Sequence, residues 1–319
     1  MKLLTALFSM LIGGSAAAQV TWTMPTAYPD SNFHTKNIRL FSEQINKETQ
    51  GKLNIVVHSG GALIRMPEIK RAVQSGQVQI GEILIGAMTN EAPIYSFETI
   101  PFMVSGYDQG YKLWTAVRPL IEARLAKQNL KVLYSVAWPT QGVYSNEELK
   151  DISQLKSLRF RSSSASAAEF AKRIGASPVV VQGADVPQAF MTGMVSAMMT
   201  SAATGVDTQA WDYVKYYYDV PTMSPQSIVF VNKAAWEKLD SATQKIVENA
   251  AAKAEKRGWQ MSRDEATGGV KRLKEEGMNV LVLNPAVETE MRKVGAEMKK
   301  GWLEKLQPEE RQAVESGLQ

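Results

Sequence analysis

The 319-residue chain carries 36 Lys+Arg against 32 Asp+Glu, two His and no Cys, for a formal net charge of +4. The absence of Cys excludes disulfides, Cys-ligated zinc, iron–sulfur clusters and thiol nucleophiles. Two imidazoles, His34 and His58, do not make a multi-His site, so neither metal nor cofactor is expected. Hydrophobic residues at 45% and charged residues at 21% fit a folded globular protein, and the mild mixed charge lacks the clustered basic face of a nucleic-acid binder.

In chain order, Lys2 precedes an apolar run, Leu3 to Ile12, then Gly13-Gly14-Ser15 and Ala16-Ala17-Ala18. A charged start, an apolar stretch and a small-residue cleavage site predict a signal peptide over 1–18, cut near Ala18. The run falls well short of the roughly 20 residues a spanning helix needs; a buried N-terminal helix is the alternative. No later stretch is apolar for a spanning length, and lipid anchoring would need a Cys, so the expected place is a bacterial periplasm.

Strands are predicted at Val20–Met24, Leu53–Val57, Val78–Ile85, Lys131–Val136, Leu158–Arg161, Val179–Val181 and Ser196–Met199. Helices are predicted at Asn37–Glu48, Met66–Gln74, Asp151–Lys156, Ala165–Ile174 and Asp207–Val214. Short loops between alternating elements argue for an α/β architecture with largely parallel strands. One pattern recurs: Ala72-Val-Gln-Ser-Gly-Gln-Val78 and Ala189-Phe-Met-Thr-Gly-Met-Val195 each close a helix on Gly and turn into a strand. Chance explains such an echo, and so do two similarly built halves. Ser241, with Gln244 at capping-box spacing, opens a long helix running toward Lys274, weakened at Gly268-Gly269. It suits a brace behind two domains or a solvated surface helix. A strand at Met278–Leu283 and a charged helix from Glu288 follow.

No dinucleotide, Walker, zinc-protease or nucleophile-elbow motif is present. Glu82 stands out as an acid inside an apolar strand, where it must be paired, hydrogen-bonded or facing a cavity. The sharpest local signal is Arg161 at a strand end followed by Ser162-Ser163-Ser164 and a helix. Free helix-start amides attract anions and Arg grips carboxylates in a bidentate way, so this loop suits a carboxylate. It equally suits a surface Arg beside an ordinary cap. Thr200 and Ser201 after the next strand, Trp138 and Gln141 after the Lys131 strand, and Trp211 are each candidates for a pocket wall or for plain packing. Tyr216-Tyr217-Tyr218 reads as structural.

The order of motifs resembles the solute-binding proteins of TRAP (tripartite ATP-independent periplasmic) transporters, the DctP-like class. The carriers are GKLNIVV at 51–57, AVQSGQV at 72–78, LKSLRFR at 155–161, GASPV at 175–179, QAFMTGMV at 188–195 and VFVNKAAW at 229–236. The resemblance implies a two-domain, type II-like periplasmic binding fold with a ligand cleft between domains and a long bracing helix at about 241–275. One domain would comprise 19–142 plus about 227–265, the other 143–226 plus about 266–319. It implies that Arg161, rather than Arg159, holds the carboxylate of an organic acid passed to a membrane permease. Compared with sialic-acid-binding members, Gln141 stands where a second Arg is expected, Thr200 replaces a pocket Asn and Gly183 a pocket Phe.

Together these expectations describe a monomeric receptor, not an enzyme, for a small monocarboxylate with a neutral hydroxylated or aromatic body. Arg161, Ser163 and Ser164 would hold the carboxylate, Tyr28, Trp138 and Trp211 would wall the pocket, and Gln141, Thr200, Ser201 and Gln226 would read hydroxyls. Glu82 is kept as a possible cleft acid. An exported enzyme using Glu82 as general base, and a sensing module for a receptor partner, remain as alternatives.

Overall fold

The computed structural model describes residues 19–319, and the leader expected over 1–18 lies outside the described residues. β1 (Val20–Pro25) and β2 (Leu53–His58) pair in parallel across α1 (Phe33–Glu48). This helix starts four residues before Asn37 because Asn32 caps it, its side-chain oxygen accepting from the His34 N–H at 2.8 Å. Then come α2 (Met66–Ser75), β3 (Ile80–Leu84), α3 (Gly106–Ala126), β4 (Leu130–Ala137) and β5 (Gln141–Ser145). The middle of the chain forms β6 (Arg159–Ser162), α4 (Ala165–Arg173), β7 (Ser177–Val180), α5 (Val186–Met191), β8 (Ala197–Ser201), α6 (Ala202–Asp207) and β9 (Tyr216–Tyr218). The last part forms β10 (Gln226–Asn232), α7 (Lys233–Glu237), α8 (Ser241–Glu275), β11 (Asn279–Leu281), α9 (Pro285–Leu303) and α10 (Pro308–Leu318).

Among the described residues the strands form sheets ordered β1-β2, β3-β10-β4 and β11-β9-β5-β8-β6-β7. Pairing is mixed rather than largely parallel. β10 runs antiparallel to both β3 and β4, and β5 antiparallel to β8 and β9. The reason for the first is a returning chain: β10 re-enters the first sheet system between two earlier strands, and Ile228, Val229, Phe230 and Val231 are all buried there. One core gathers Trp22, Phe41, Ile69, Trp114, Tyr134 and Phe230. The six-stranded sheet is apolar on both faces. Met199 and Tyr218 belong to one cluster and their neighbours Met198 and Tyr217 to another, as period-two alternation requires. The tyrosine triplet is therefore structural.

The internal echo is a shared backbone device. Gly76 and Gly193 both adopt left-handed φ, +79° and +68°. Val78 N–H bonds Ala72 C=O at 3.3 Å, and Val195 N–H bonds Ala189 C=O at 3.1 Å. Both turns feed a strand from a helix, β3 in one body and β8 in the other.

α8 spans roughly 50 Å at 1.5 Å per residue. Its first half packs Val247, Ala250, Ala254 and Trp259 into the first core, while Leu273 joins a cluster of the second body. It does not break at Gly268-Gly269, because Gly269 lets it close onto α6; a Cβ there would sit 3.1 Å from the Ala202 Cβ. The C-terminal residues divide differently from the expected 266–319 unit. Val287 and Met291 lie in the second body's core, but Trp302, Leu306 and Val314 lie in the first. The cause is α3, whose Leu113 backbone is approached by Gly317 of α10 closely enough to leave no room for a Cβ.

Candidate functional site

A cavity of about 310 Å³ opens between the two bodies. The first body supplies Ala27, Tyr28, Pro29, Gly60, Met66, Leu84 and Trp138. The second supplies Gln141, Arg161, Ser163, the Gln182–Ala184 turn, Pro187, Thr200, Ser201, Thr204, Asp207 and Thr208. Most of these sit at strand ends or helix starts, where open sheets leave side chains and amides free.

Arg161 lies at the end of β6 and is only 3% exposed. Its Nε donates to the Val181 carbonyl at 2.9 Å, which aims the guanidinium, while Nη1 is buried without a hydrogen-bond partner. Burial pushes its pKa down to about 10, with only the phenols of Tyr213 and Tyr28 pulling the other way. No acid among the described residues pairs with it, so a buried cation faces the cavity uncompensated. Gln141, on β5, lines the same cavity. Its Nε2 donates to Ser163 Oγ at 3.3 Å, and its Oε1 is buried and unpartnered. Tyr28 and Trp138 form an edge-to-face wall with centroids 4.8 Å apart, pinned by the Trp138 Nε1–Ser227 Oγ hydrogen bond at 3.1 Å.

Seven of the residues singled out from sequence line the cavity: Tyr28, Trp138, Gln141, Arg161, Ser163, Thr200 and Ser201. Four do not. Ser164 spends its hydroxyl as the N-cap of α4, accepting from the Ala167 N–H at 3.3 Å, so Ser163 is the serine on the wall. Gln226 is turned away and accepts from Ser135 Oγ at 3.1 Å behind Trp138. Trp211 lies in a single 3₁₀ turn, Ala210–Asp212, packed on the second body, because Ser201 caps α6 immediately after β8 and the helix ends at Asp207 rather than beginning there. Glu82 lies beneath the aromatic wall, 2% exposed, accepting from Thr26 Oγ1 at 2.7 Å and facing His34 Nδ1 at 3.0 Å.

Sequence reasoning missed Asp207, Gln182, Thr204 and Thr208. Asp207 had an available signal: it ends a helix, where the dipole disfavours an acid. Reading it as a helix start removed that signal.

The two bodies touch across the cleft. Asn32 Nδ2 donates to Asp207 Oδ2 at 2.6 Å, Arg65 pairs with Asp185 at 3.0 Å, and Thr99 Oγ1 hydrogen-bonds Ser166 Oγ. The Arg65–Asp185 pair is well exposed, and such pairs contribute about 0–1 kcal/mol.

Glu98 lies near this junction, 2% exposed, with both carboxyl oxygens buried. Burial holds its carboxyl well above the ordinary range, and the Gly86 and Gln226 amides pull only partly the other way. The folded chain thus binds a proton there that the unfolded chain releases near pH ~4.3, so this group costs stability increasingly as pH rises above that value. Glu98→Gln is expected to melt higher than the native chain at pH 7–8, with the gap closing toward pH 4. A gap independent of pH in thermal melts would contradict this.

The chain matches, over residues 25–309, the model of bacterial extracellular solute-binding protein family 7, DctP. It is 42% identical to DctP7 of Bordetella pertussis, an extracytoplasmic solute receptor binding pyroglutamic acid; the likeness covers 94% of this chain and all of that one, with a TM-score of 0.92. DctP6 of the same organism, also binding pyroglutamic acid, is 39% identical over 93% of this chain and 99% of its own, TM-score 0.91. A marine metagenome TRAP solute-binding protein specific for pyroglutamate is 34% identical over 94% of this chain and 98% of its own, TM-score 0.91. The family and these neighbours are receptors, so the general-base reading of Glu82 falls. The two-domain α/β binding fold is theirs as well, and the chain belongs to bacterial extracellular solute-binding protein family 7, the solute receptors of TRAP transporters.

Proposed function

We propose that this protein captures a small cyclic monocarboxylate, with pyroglutamate the leading candidate, and delivers it to a TRAP permease. The observation that carries the reading is the Arg161 guanidinium: buried, aimed by Val181, free at Nη1 and unpaired on the cavity wall. An anion there offsets the cost of burying the cation, and a planar carboxylate fits a guanidinium in bidentate fashion. Pyroglutamate has one carboxylate and a neutral ring, which agrees with the loss of a second pocket Arg at Gln141 and with the apolar Tyr28–Trp138 wall. Its presence in three neighbours at 34–42% identity supports the choice.

In this reading the protein works as a monomer in the periplasm after cleavage near Ala18. The two bodies hinge relative to one another, and closure brings Asn32 and Arg65 onto Asp207 and Asp185. Thermal melts of the protein beginning at Gln19, against a panel of organic acids, test it. A ligand at 100 times its Kd adds about 2.7 kcal/mol of stability, so pyroglutamate is expected to give a clear upward shift. No shift with any monocarboxylate, in protein unfolded and refolded to strip resident ligand, would refute it.

A further inference from the structure

Among the described residues the cavity wall carries one cation, Arg161, and one anion, Asp207. The anion is placed with some care. Asp207 closes α6, where the helix dipole opposes a negative charge, and it is partly withdrawn from water. What holds it comes from the other side of the cleft: Asn32 Nδ2 donates to Oδ2 at 2.6 Å, and Ser31 Oγ to Oδ1 at a longer 3.4 Å. Asn32 is itself fixed, since its side-chain oxygen caps α1 through the His34 N–H. Neither hydrogen-bonding partner is a cation; Lys36 and His34 nearby favour the charge without pairing with it, so it is oriented and only partly offset. A carboxylate offers about four acceptor positions, and these two donors leave the others free.

We propose that Asp207 is the second anchor of the bound acid, accepting an N–H from the ligand and rejecting any ligand with a second carboxylate. This rests on the reading of Arg161 as the carboxylate anchor. With Arg161 matched to one carboxylate, a second would meet Asp207, a like-charge juxtaposition in a closed site. A ligand without a donor would instead leave the Asp207 carboxylate dehydrated and short of a partner. A lactam N–H and an ammonium both satisfy it. Because Asn32 reaches Asp207 only across the cleft, the anchor takes its final orientation when the two bodies meet, so donor recognition and closure act on one side chain.

Isothermal titration separates the parts. The native protein is expected to bind pyroglutamate at least about 100-fold more tightly than 5-oxotetrahydrofuran-2-carboxylate, in which ring oxygen replaces N–H. Proline, tested beside it, distinguishes an ammonium from a lactam as the preferred donor. In Asp207→Ala the lactam–lactone gap is expected to shrink to within about tenfold. Asp207→Asn keeps the shape and an acceptor without the charge, and is expected to bind glutarate at least about tenfold better than the native protein does. Lactam and lactone bound equally by the native protein, both lost in Arg161→Ala, would overturn the role of Asp207 and leave the carboxylate anchor standing. Continued rejection of glutarate by a folded Asp207→Asn would also overturn it. Absence of any carboxylate binding by the native protein would remove the underlying reading.

Discussion

Arg161→Ala is expected to weaken ligand binding by about 2–5 kcal/mol, or roughly 30- to 4,000-fold in Kd, without unfolding the protein. The size follows from burial. Arg161 is 3% exposed, and the phenols that favour its charge do not overcome the desolvation that pushes it down to about 10. A carboxylate arriving beside it finds little competing water, and leaving that carboxylate unpaired removes most of the attraction. The sign on stability is the more telling half. Among the described residues this cation has no acidic partner, so replacing it removes an unfavourable buried charge along with one hydrogen bond to Val181. The ligand-free variant should therefore melt no lower than about 1 kcal/mol below the native chain, the worth of one hydrogen bond, while its ligand-induced shift disappears. Arg161→Lys should recover little, because an ammonium lacks the planar fork and cannot both hold Val181 and chelate a carboxylate. Calorimetric titration with paired melts checks all three; a folded Arg161→Ala of near-native affinity would remove Arg161 from the site.

The parts of the fold that could be read from sequence were those set by local chemistry. Gly76 and Gly193 announce helix ends because a left-handed turn after a helix favours glycine. Arg161 stood out because a strand end followed by a serine-capped helix suits an anion as well as an ordinary cap, and the family resemblance chose it over Arg159. The parts that could not be read depend on distant chain. α3 hides behind Pro119 inside it and becomes a helix with one buried stripe, Leu113, Trp114, Val117 and Ile121, partly covered by α10. β10 has a visible motif but takes its place between β3 and β4 only through the return of the chain. At the site two of the errors share one origin. A start for α6 displaced by five residues put Trp211 on a helix and Asp207 at a favourable N-terminus, when the Ser201 cap starts the helix at Ala202 and Asp207 is its last residue. Ser163 and Ser164 are adjacent in sequence, and only the cap geometry says which hydroxyl is free.

His34→Ala is expected to destabilise the protein by about 3–5 kcal/mol, because it strands the Glu82 carboxylate in the first core. The sequence flags Glu82 as an acid that must be paired, hydrogen-bonded or facing a cavity; it is paired, and its partner is a histidine from α1. Both side chains are at most 2% exposed, and beyond His34 the Glu82 carboxylate has the Thr26 hydroxyl. The same imidazole packs against Trp138, Phe33 and Tyr28 with ring centroids 4.3, 4.2 and 5.6 Å away, so its removal also leaves a gap beneath the pocket wall. Two consequences distinguish charge from packing. Glu82→Ala with His34→Ala should cost less than the sum of the single changes, since each single change leaves the other group unpaired and the double change does not. His34→Phe refills the space without a donor, so it should restore ligand affinity more than it restores stability. Additive losses in denaturant titrations would show that the two residues act separately and that the strand tolerates Glu82 on hydrogen bonding from Thr26 alone. A coupled loss would make this buried pair the support on which the aromatic wall of the pocket rests.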